Sequence, residues 1–409
     1  MSATESLATS TTSLALSRWQ LAASSALSPF ALVVVSPMLP EFRRMFDATE
    51  ADVQYVISAY LFGLCLAQLV LGALSDRFGR RVVLLTSLMV YIAMTVVCAY
   101  APTLDILIMA RFVQACGAAG TAAIARASVH DIHRGDAAAY YMSYIAAAHS
   151  FAHTSAPVVG GFVGDAVGIT GVFMGLAALG VVMLVWSWHS MPETRPRALG
   201  QRAFSIANLI TDNVLMMRSP IFVCYALIYG LTGAPFFAFL AAAPSYFADH
   251  FGATGGAFGV YWSFMSVAFL AGAMTSARLV NRMGSHALIK WMILTAGMIG
   301  LGWPVLVSVA GVTVFNLIAP LVLLSGVLGL ITPLTLSGAI GAHPQQTGAA
   351  SGLCGALTMA CSAVLTIVAG HFYDGTGLGL TWPLTVSMVA MMGSYLGLRV
   401  FERPTAKAA

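Results

Sequence analysis

Charge is what this chain has least of. Only 8% of its 409 residues are Asp, Glu, Lys or Arg, against 59% hydrophobic and a mean hydropathy of +0.86. Soluble domains carry about 25% charged residues, so the composition excludes a water-solvated domain and calls for a chain bathed in lipid. Carboxylates are missing from the middle of the apolar runs. Glu41, Asp47, Glu50, Asp52, Asp105, Asp165, Asp249 and Asp374 fall in connections on one side, and Glu5, Asp76, Asp131, Asp136, Glu193, Asp212 and Glu402 on the other, which accounts for all 15 acids. Cysteine is sparse too. Cys65, Cys98, Cys116, Cys224, Cys354 and Cys361 all sit inside apolar runs without metal-ligand spacing, so they read as small core residues, with no metal site and no redox chemistry. No glycine-rich phosphate loop and no convergent nucleophile and base are present, which argues against direct use of ATP, against an enzyme and against any cofactor.

What is present is length. A membrane-spanning helix needs about 20 mostly apolar residues, and twelve such windows can be placed, at 19–40, 53–74, 82–100, 104–127, 137–163, 168–190, 220–247, 255–279, 286–308, 312–340, 347–371 and 379–401. Continuous runs of this length favour helices over the alternating ten-residue pattern of a barrel. The expected fold class is an all-α polytopic membrane protein. Residues 1–17, rich in Ser, Thr and Ala without a basic region, read as a disordered tail.

Basic residues fix the expected orientation. Arg77, Arg80, Arg81, Arg126, Arg134, Arg195, Arg202, Arg278, Arg282, Lys290 and Arg399 lie in or beside connections of one parity, whereas the other parity holds only Arg43 and Arg44. The positive-inside rule then puts both termini in the cytoplasm. The basic excess is accounted for by topology and calls for no nucleic-acid partner. The longest polar interruption, 191–219, separates a bundle at 18–190 from one at 220–403, with a second tail at 404–409.

Between the second and third runs the chain reads Gly72-Ala73-Leu74-Ser75-Asp76-Arg77-Phe78-Gly79-Arg80-Arg81, too short for anything but a tight turn at a membrane surface. Ala277-Arg278-Leu279-Val280-Asn281-Arg282-Met283-Gly284 echoes it in the second half, with Asn281 where Asp76 stands. Two homologous halves are the economical reading. The first segment resembles the G-x-L-x-D-R-x-G-R-R loop of the major facilitator superfamily. Arg111-Phe112-Val113-Gln114-Ala115-Cys116-Gly117 is similar to that family's R-x-x-Q-x-x-G helix, and Ala156-Pro157-Val158-Val159-Gly160-Gly161 to its antiporter segment, with Ala156 in place of the expected glycine. Arg126-Ala127 with Asp131 looks like the R-A-x-x-x-D signature of the Bcr/CflA type of drug exporters within the drug:proton antiporter group, as do 241–247 and 348–355.

The resemblance implies twelve helices in two pseudo-symmetric six-helix bundles working by alternating access. It further implies a monomer in a bacterial inner membrane whose partners are a small-molecule substrate, protons and lipid. Proton-coupled efflux of a moderately hydrophobic drug or metabolite is the expected activity. A facilitator, or a solute-coupled exchanger or importer, is the alternative, and a transporter-like sensor a weaker one. Exporters of this kind usually carry an acid in helix 1, but Ala31-Leu32-Val33-Val34-Val35 stands there, so the expected substrate is neutral, zwitterionic or anionic rather than a multivalent cation. Arg111, His149 and His153 are the candidates for proton coupling. The histidines share one face of helix 5, and an imidazole titrates near pH 6.5; the alternatives are a neutral, hydrogen-bonded pair or, without a third ligand, a metal site. Asp76, Arg77, Gly79, Arg80, Arg81, Arg126, Asp131, Pro157, Gly160 and Gly161 are the candidate gating residues. Asp76 is expected to meet the positive N-terminal end of helix 11 near Thr347 and Gly348, with Asp131 or Asp136 pairing the arginines. Tyr55, Tyr60, Gln68, Tyr225, Tyr229, Phe236, Phe237, Phe239 and Asn316 are the candidates for the cavity lining.

Overall fold

The structure, a computed structural model, describes residues 17–133, 135–194, 206–343 and 347–405. Helices dominate because lipid-facing backbone must satisfy its own hydrogen bonds. They begin where the sequence supplies an acceptor for the first free N–H groups. Ser17, Thr49, Thr103, Ser219, Thr254 and Thr313 each accept from the backbone N–H three residues on, and Thr49 with Asp52 completes a capping box.

The first window is not one helix. It forms α1 (Arg18–Val33), a single 3-10 turn (Ser36–Met38) and α2 (Leu39–Met45), because Pro37 and Pro40 remove two backbone donors where a continuous helix would need them. Four crossings follow the expected order: α3 (Glu50–Phe78), α4 (Arg80–Ala99), α5 (Leu104–Ile132) and the first half of α6 (Gly135–Ser190). At 56 residues α6 would be about 80 Å long if straight, more than twice the hydrocarbon thickness. It is broken by one non-helical residue, Gly168, at φ 68° and ψ −177°. Arg18 holds Tyr140 near its start and Arg81 holds the Trp188 carbonyl near its finish, so both ends of α6 lie at the same end of the molecule. The two expected windows at 137–163 and 168–190 are therefore two crossings joined through a glycine, and the 11 apolar spans make twelve crossings.

Residues 191–219, expected as a plain linker, contain a further helix, α7 (Ile206–Met217). Beyond it come α8 (Pro220–Phe251), α9 (Gly255–Met283), α10 (Ser285–Ala310), α11 (Val314–Gly341), α12 (Thr347–His371) and α13 (Gly377–Thr405). Packing repeats between the halves. The pairs α3 with α5, α1 with α5 and α1 with α6 recur as α9 with α11, α8 with α11, and α8 with both α12 and α13. Between bundles, α3 lies on α12 and α6 on α9, pairs that a two-fold exchange of the halves interconverts. The two echoing loops repeat as well: Gly79 and Gly284, at φ 93° and 78°, are the sole non-helical residues joining their helices. Only glycine takes such angles without strain. We call the end carrying residues 18, 80, 190 and 402 the near end, and that carrying 43–50, 165–170 and 249–256 the far end.

Candidate substrate cavity and gates

A cavity of about 290 Å³ opens between the first half of α6 and helices α8, α9, α11 and α12. Phe236, Phe237, Trp262 and Phe269 make its walls apolar, and His149, His153, Tyr229, Thr232 and Thr332 add polar groups. Phe236 meets Phe269 edge-on at 6.0 Å, and the Thr332 hydroxyl donates to that of Thr232 at 3.1 Å. The His149 and His153 rings lie 5.3 Å apart, one helical turn from each other, with His153 also 6.0 Å from Phe237. Trp262 donates its indole N–H across the bundle boundary to the His153 carbonyl at 3.1 Å. An apolar enclosure with a few convergent polar groups is the usual form of a small-molecule site.

Of the residues expected to line the cavity, Tyr229, Phe236 and Phe237 do so. Tyr60 is fully buried against Arg111, with its hydroxyl donating to the Ser28 carbonyl at 3.2 Å. Gln68 faces Gly355 where α3 meets α12. Tyr225 donates to Glu402 at 2.9 Å and Phe239 packs on Trp303, while Tyr55 is 41% exposed on the outside of α3. Asn316 secures the first turn of α11 by donating to the Gly311 carbonyl at 3.0 Å. Trp262, Met265 and Phe269 were not anticipated: α9 has apolar residues all round, which leaves the cavity face unmarked.

Arg111 is wholly buried and holds no carboxylate. Its guanidinium donates to the Ala31 carbonyl at 3.1 Å and to Gln114 Oε1 at 2.7 Å, reaches toward the Leu32 and Val56 carbonyls, and stacks 4.1 Å from the Tyr60 ring centre. Gln114 passes the network on, donating to Thr95 at 2.6 Å. The Ala31 and Leu32 carbonyls belong to the last turn of α1, where the break before Pro37 frees them from helical bonding, and the Val56 carbonyl belongs to α3. Arginine and glutamine three residues apart thus brace the α1 break against α5. A partnership between Arg111 and Asp105 is not what the chain uses. Arg126, about four turns further along α5, is half-buried and within electrostatic reach of both His149 and Tyr229, beside the cavity.

At the near end, Arg80 is the hub. It is 5% exposed and pairs with Asp76 at 2.6 Å and Asp131 at 2.8 Å, while the Ser75 hydroxyl accepts from it at 2.5 Å. Glu193, from the segment after α6, accepts from the backbone N–H groups of Arg80 at 2.8 Å and Arg81 at 3.2 Å. A carboxylate therefore sits on the positive end of α4. Gly79 is required twice over, since a Cβ there would also run into that carboxylate. Thr194 donates to Asp131 at 3.0 Å, and Arg81 donates to the Trp188 carbonyl at 2.6 Å, whereas Arg77 lies exposed over Phe78. The expected meeting of Asp76 with the positive end of α12 falls on Thr347 and Gly348, and the alternative pairing of the arginines on Asp136, and these contacts lie outside the described residues.

The far end contains what sequence reading missed. Arg43 of α2 pairs with Asp249 of α8 at 2.7 Å and with Glu50 at 3.4 Å. Asp165, at the far end of α6's first half, accepts from the Gly256 N–H at 3.2 Å, at the start of α9. Pro157, Gly160 and Gly161 lie just below. A Cβ at Gly161 would strike the Gly255 backbone, and Gly259 backs directly onto the Pro157 carbonyl, so main chain meets main chain across the bundle boundary. Pro157, Gly160 and Gly161 were expected as gating residues; for the charge pairs the signal in the sequence was that Arg43 and Arg44 are the sole arginines or lysines on an otherwise acidic side.

The Major Facilitator Superfamily model matches residues 21–366, and the chain belongs to that superfamily. Among curated relatives, it is 26% identical over 411 residues to a chloramphenicol resistance protein of Pseudomonas aeruginosa, covering 94% of this chain and 92% of the relative. It is 23% identical over 384 residues to a bicyclomycin resistance protein homolog of Haemophilus influenzae, covering 91% and 93%. Among solved structures, a D-xylose-proton symporter superposes with a TM-score of 0.73 at 14% identity, over 93% of this chain and 96% of that one. The kinship is with the drug:proton antiporter group that the motifs resemble, and the fold is the twelve-helix, two-bundle fold of the superfamily.

Proposed function

We propose that this protein is a proton-coupled exporter that moves a moderately hydrophobic drug or metabolite from the near end, facing the cytoplasm, to the far end by alternating access. The supporting observation is the cavity itself. It lies at the junction of the two bundles, its walls are aromatic, and His149 and His153, the clustered titratable side chains of its described lining, are on α6, the helix whose Pro157 and Gly161 meet α9 main chain to main chain. A proton taken up by an imidazole would change the charge of the cavity wall beside that contact. The resistance phenotypes in the relatives' names fit export of such molecules. The near end carries the basic connections, as a cytoplasmic face does, and a bacterial inner membrane fits the relatives' hosts. The protein works as a monomer in this reading.

The test is purified protein in liposomes with an imposed pH gradient, screened with phenicols and bicyclic peptides. Substrate should drive proton movement, and the double variant His149→Gln, His153→Gln should lose that coupling while still binding substrate. Coupled flux that survives the double variant removes the histidines from the mechanism. Flux indifferent to pH supports the second reading, a facilitator or solute-coupled exchanger, which the lack of any carboxylate among the described cavity residues favours.

A further inference from the structure

We infer that the cavity takes an amphipathic organic monoanion, a carboxylate on an aromatic or branched apolar body, with Arg126 as its counter-charge; this rests on the transport reading above and narrows its substrate. Among the described residues the other arginines buried at helix depth or at the gates all have partners: Arg111 is held by carbonyls and Gln114, Arg80 by Asp76 and Asp131, and Arg43 by Glu50 and Asp249. Arg126 has neither an ion pair nor a hydrogen bond. The nearest acid along its helix, Asp131, is already occupied by Arg80 and Thr194. The groups within electrostatic reach of Arg126 are Tyr229, which can donate a hydrogen bond to an anion, and His149, which cannot neutralise it.

An uncompensated cation at membrane depth is costly and marks a functional site. Arg126 does not itself line the apolar cavity, but it is within electrostatic reach of Tyr229 and His149, which do, and the described lining contains no carboxylate. A ligand carboxylate on the planar guanidinium would be held by two parallel charge-assisted bonds. Tyr229 would supply a third donor, and Phe236, Phe237, Trp262 and Met265 would receive the apolar body. A cationic ligand would meet like charge and no acceptor of opposite sign.

The experiment is equilibrium binding to the purified full-length protein in detergent, using naphthoate, naphthamide and naphthylmethylamine as shape-matched anionic, neutral and cationic probes, with protein-free micelles subtracted. Naphthoate should bind at least about tenfold more tightly than naphthamide, as expected for a charge-assisted pair, and the amine more weakly than either. Arg126→Gln should bring naphthoate to the level of the amide, Arg126→Lys should keep part of the preference, and Tyr229→Phe should weaken naphthoate alone by a few fold. If Arg126→Gln does not fold, the Lys and Phe variants decide. A carboxylate that binds no better than its amide, or not at all, overturns the inference, as does an equal loss of both probes in the variants. Because binding in detergent needs no gradient, anion preference without coupled flux would sink the transport reading alone, and coupled flux of neutral compounds without anion preference would sink only this one.

Discussion

The two ends of this molecule are held by the same chemistry arranged differently. At the near end, the contacts described for Arg80, Asp76, Asp131 and Glu193 join α3, α4, α5 and the segment after α6, helices of the first bundle. At the far end, Arg43 to Asp249 and Asp165 to the Gly256 N–H run from one bundle to the other. The Arg80–Asp131 pair at the heart of the near-end hub is largely buried, with Asp76 more exposed at its edge, whereas Arg43 and Asp249 keep side-chain exposures of 28% and 36%. A buried network makes a body rigid; half-exposed pairs between bodies can be exchanged for water at little cost. Among the described residues, the difference separates contacts that stiffen one bundle from contacts that link the two.

Breaking the near-end hub should have the largest effect. Arg80→Ala strips Asp131 of its cation, a loss of about 3 kcal/mol for a largely buried pair that loses one partner, with little added by the more exposed Asp76. The measurement is thermal unfolding of the purified protein. A fall of several degrees in the first bundle, with unchanged cysteine crosslinking across the far end, is the expected result. If unfolding is unmoved and far-end crosslinking changes instead, the hub is part of the latch and the contrast between the ends fails.

The two glycine loops sharpen the comparison within one fold. Gly284→Ala meets only the backbone strain of φ 78° and ψ 154° in open surroundings, about 1–3 kcal/mol. Gly79→Ala carries the same strain and also displaces the Glu193 carboxylate from the start of α4. The Gly79 variant should therefore be less stable than the Gly284 variant by about 1 kcal/mol or more, measured by denaturant or thermal titration in the same detergent. Equal losses would show that the two loops differ in sequence but not in mechanical role.

This pair of loops also shows how much could be read from the chain alone. Twelve crossings, two halves and the glycine turn were all legible, because apolar run length and a positive-φ requirement are local properties. Arg111 and Gln114 were recognisable as special, but their partners were not, since main-chain carbonyls freed by the break before Pro37 carry no sequence mark. Glu193 was hidden for a different reason. It lies 113 residues from the N–H it accepts, inside a segment that looks like the start of a linker. In the cavity, Phe236, Phe237 and Tyr229 could be guessed from aromatic content, whereas Trp262 and Phe269 lie on a helix with no polar face to set them apart. Arg126 was visible as a signature residue, but only the fold places it beside His149 rather than among the gate charges.

The smallest expected effect is at the far-end latch itself. Arg43→Ala and Asp249→Asn each remove a half-exposed pair worth about 1 kcal/mol or less, a shift of up to about fivefold in the balance between closed and open far ends. Stability should barely change. What should change is access: a cysteine placed at Thr254, beside the Asp165 contact, should react with a water-soluble thiol reagent several times faster in either variant. The charge swap Arg43→Asp with Asp249→Arg tests the pairing directly. It restores slow labelling if the two side chains hold the bundles together through each other, and leaves labelling fast if Arg43 serves mainly to neutralise Glu50 of its own bundle and the closure is carried by Asp165 on the Gly256 N–H. In that second outcome the swap would place two acids, at 43 and 50, side by side, and labelling should then slow as the pH is lowered and one of them takes a proton.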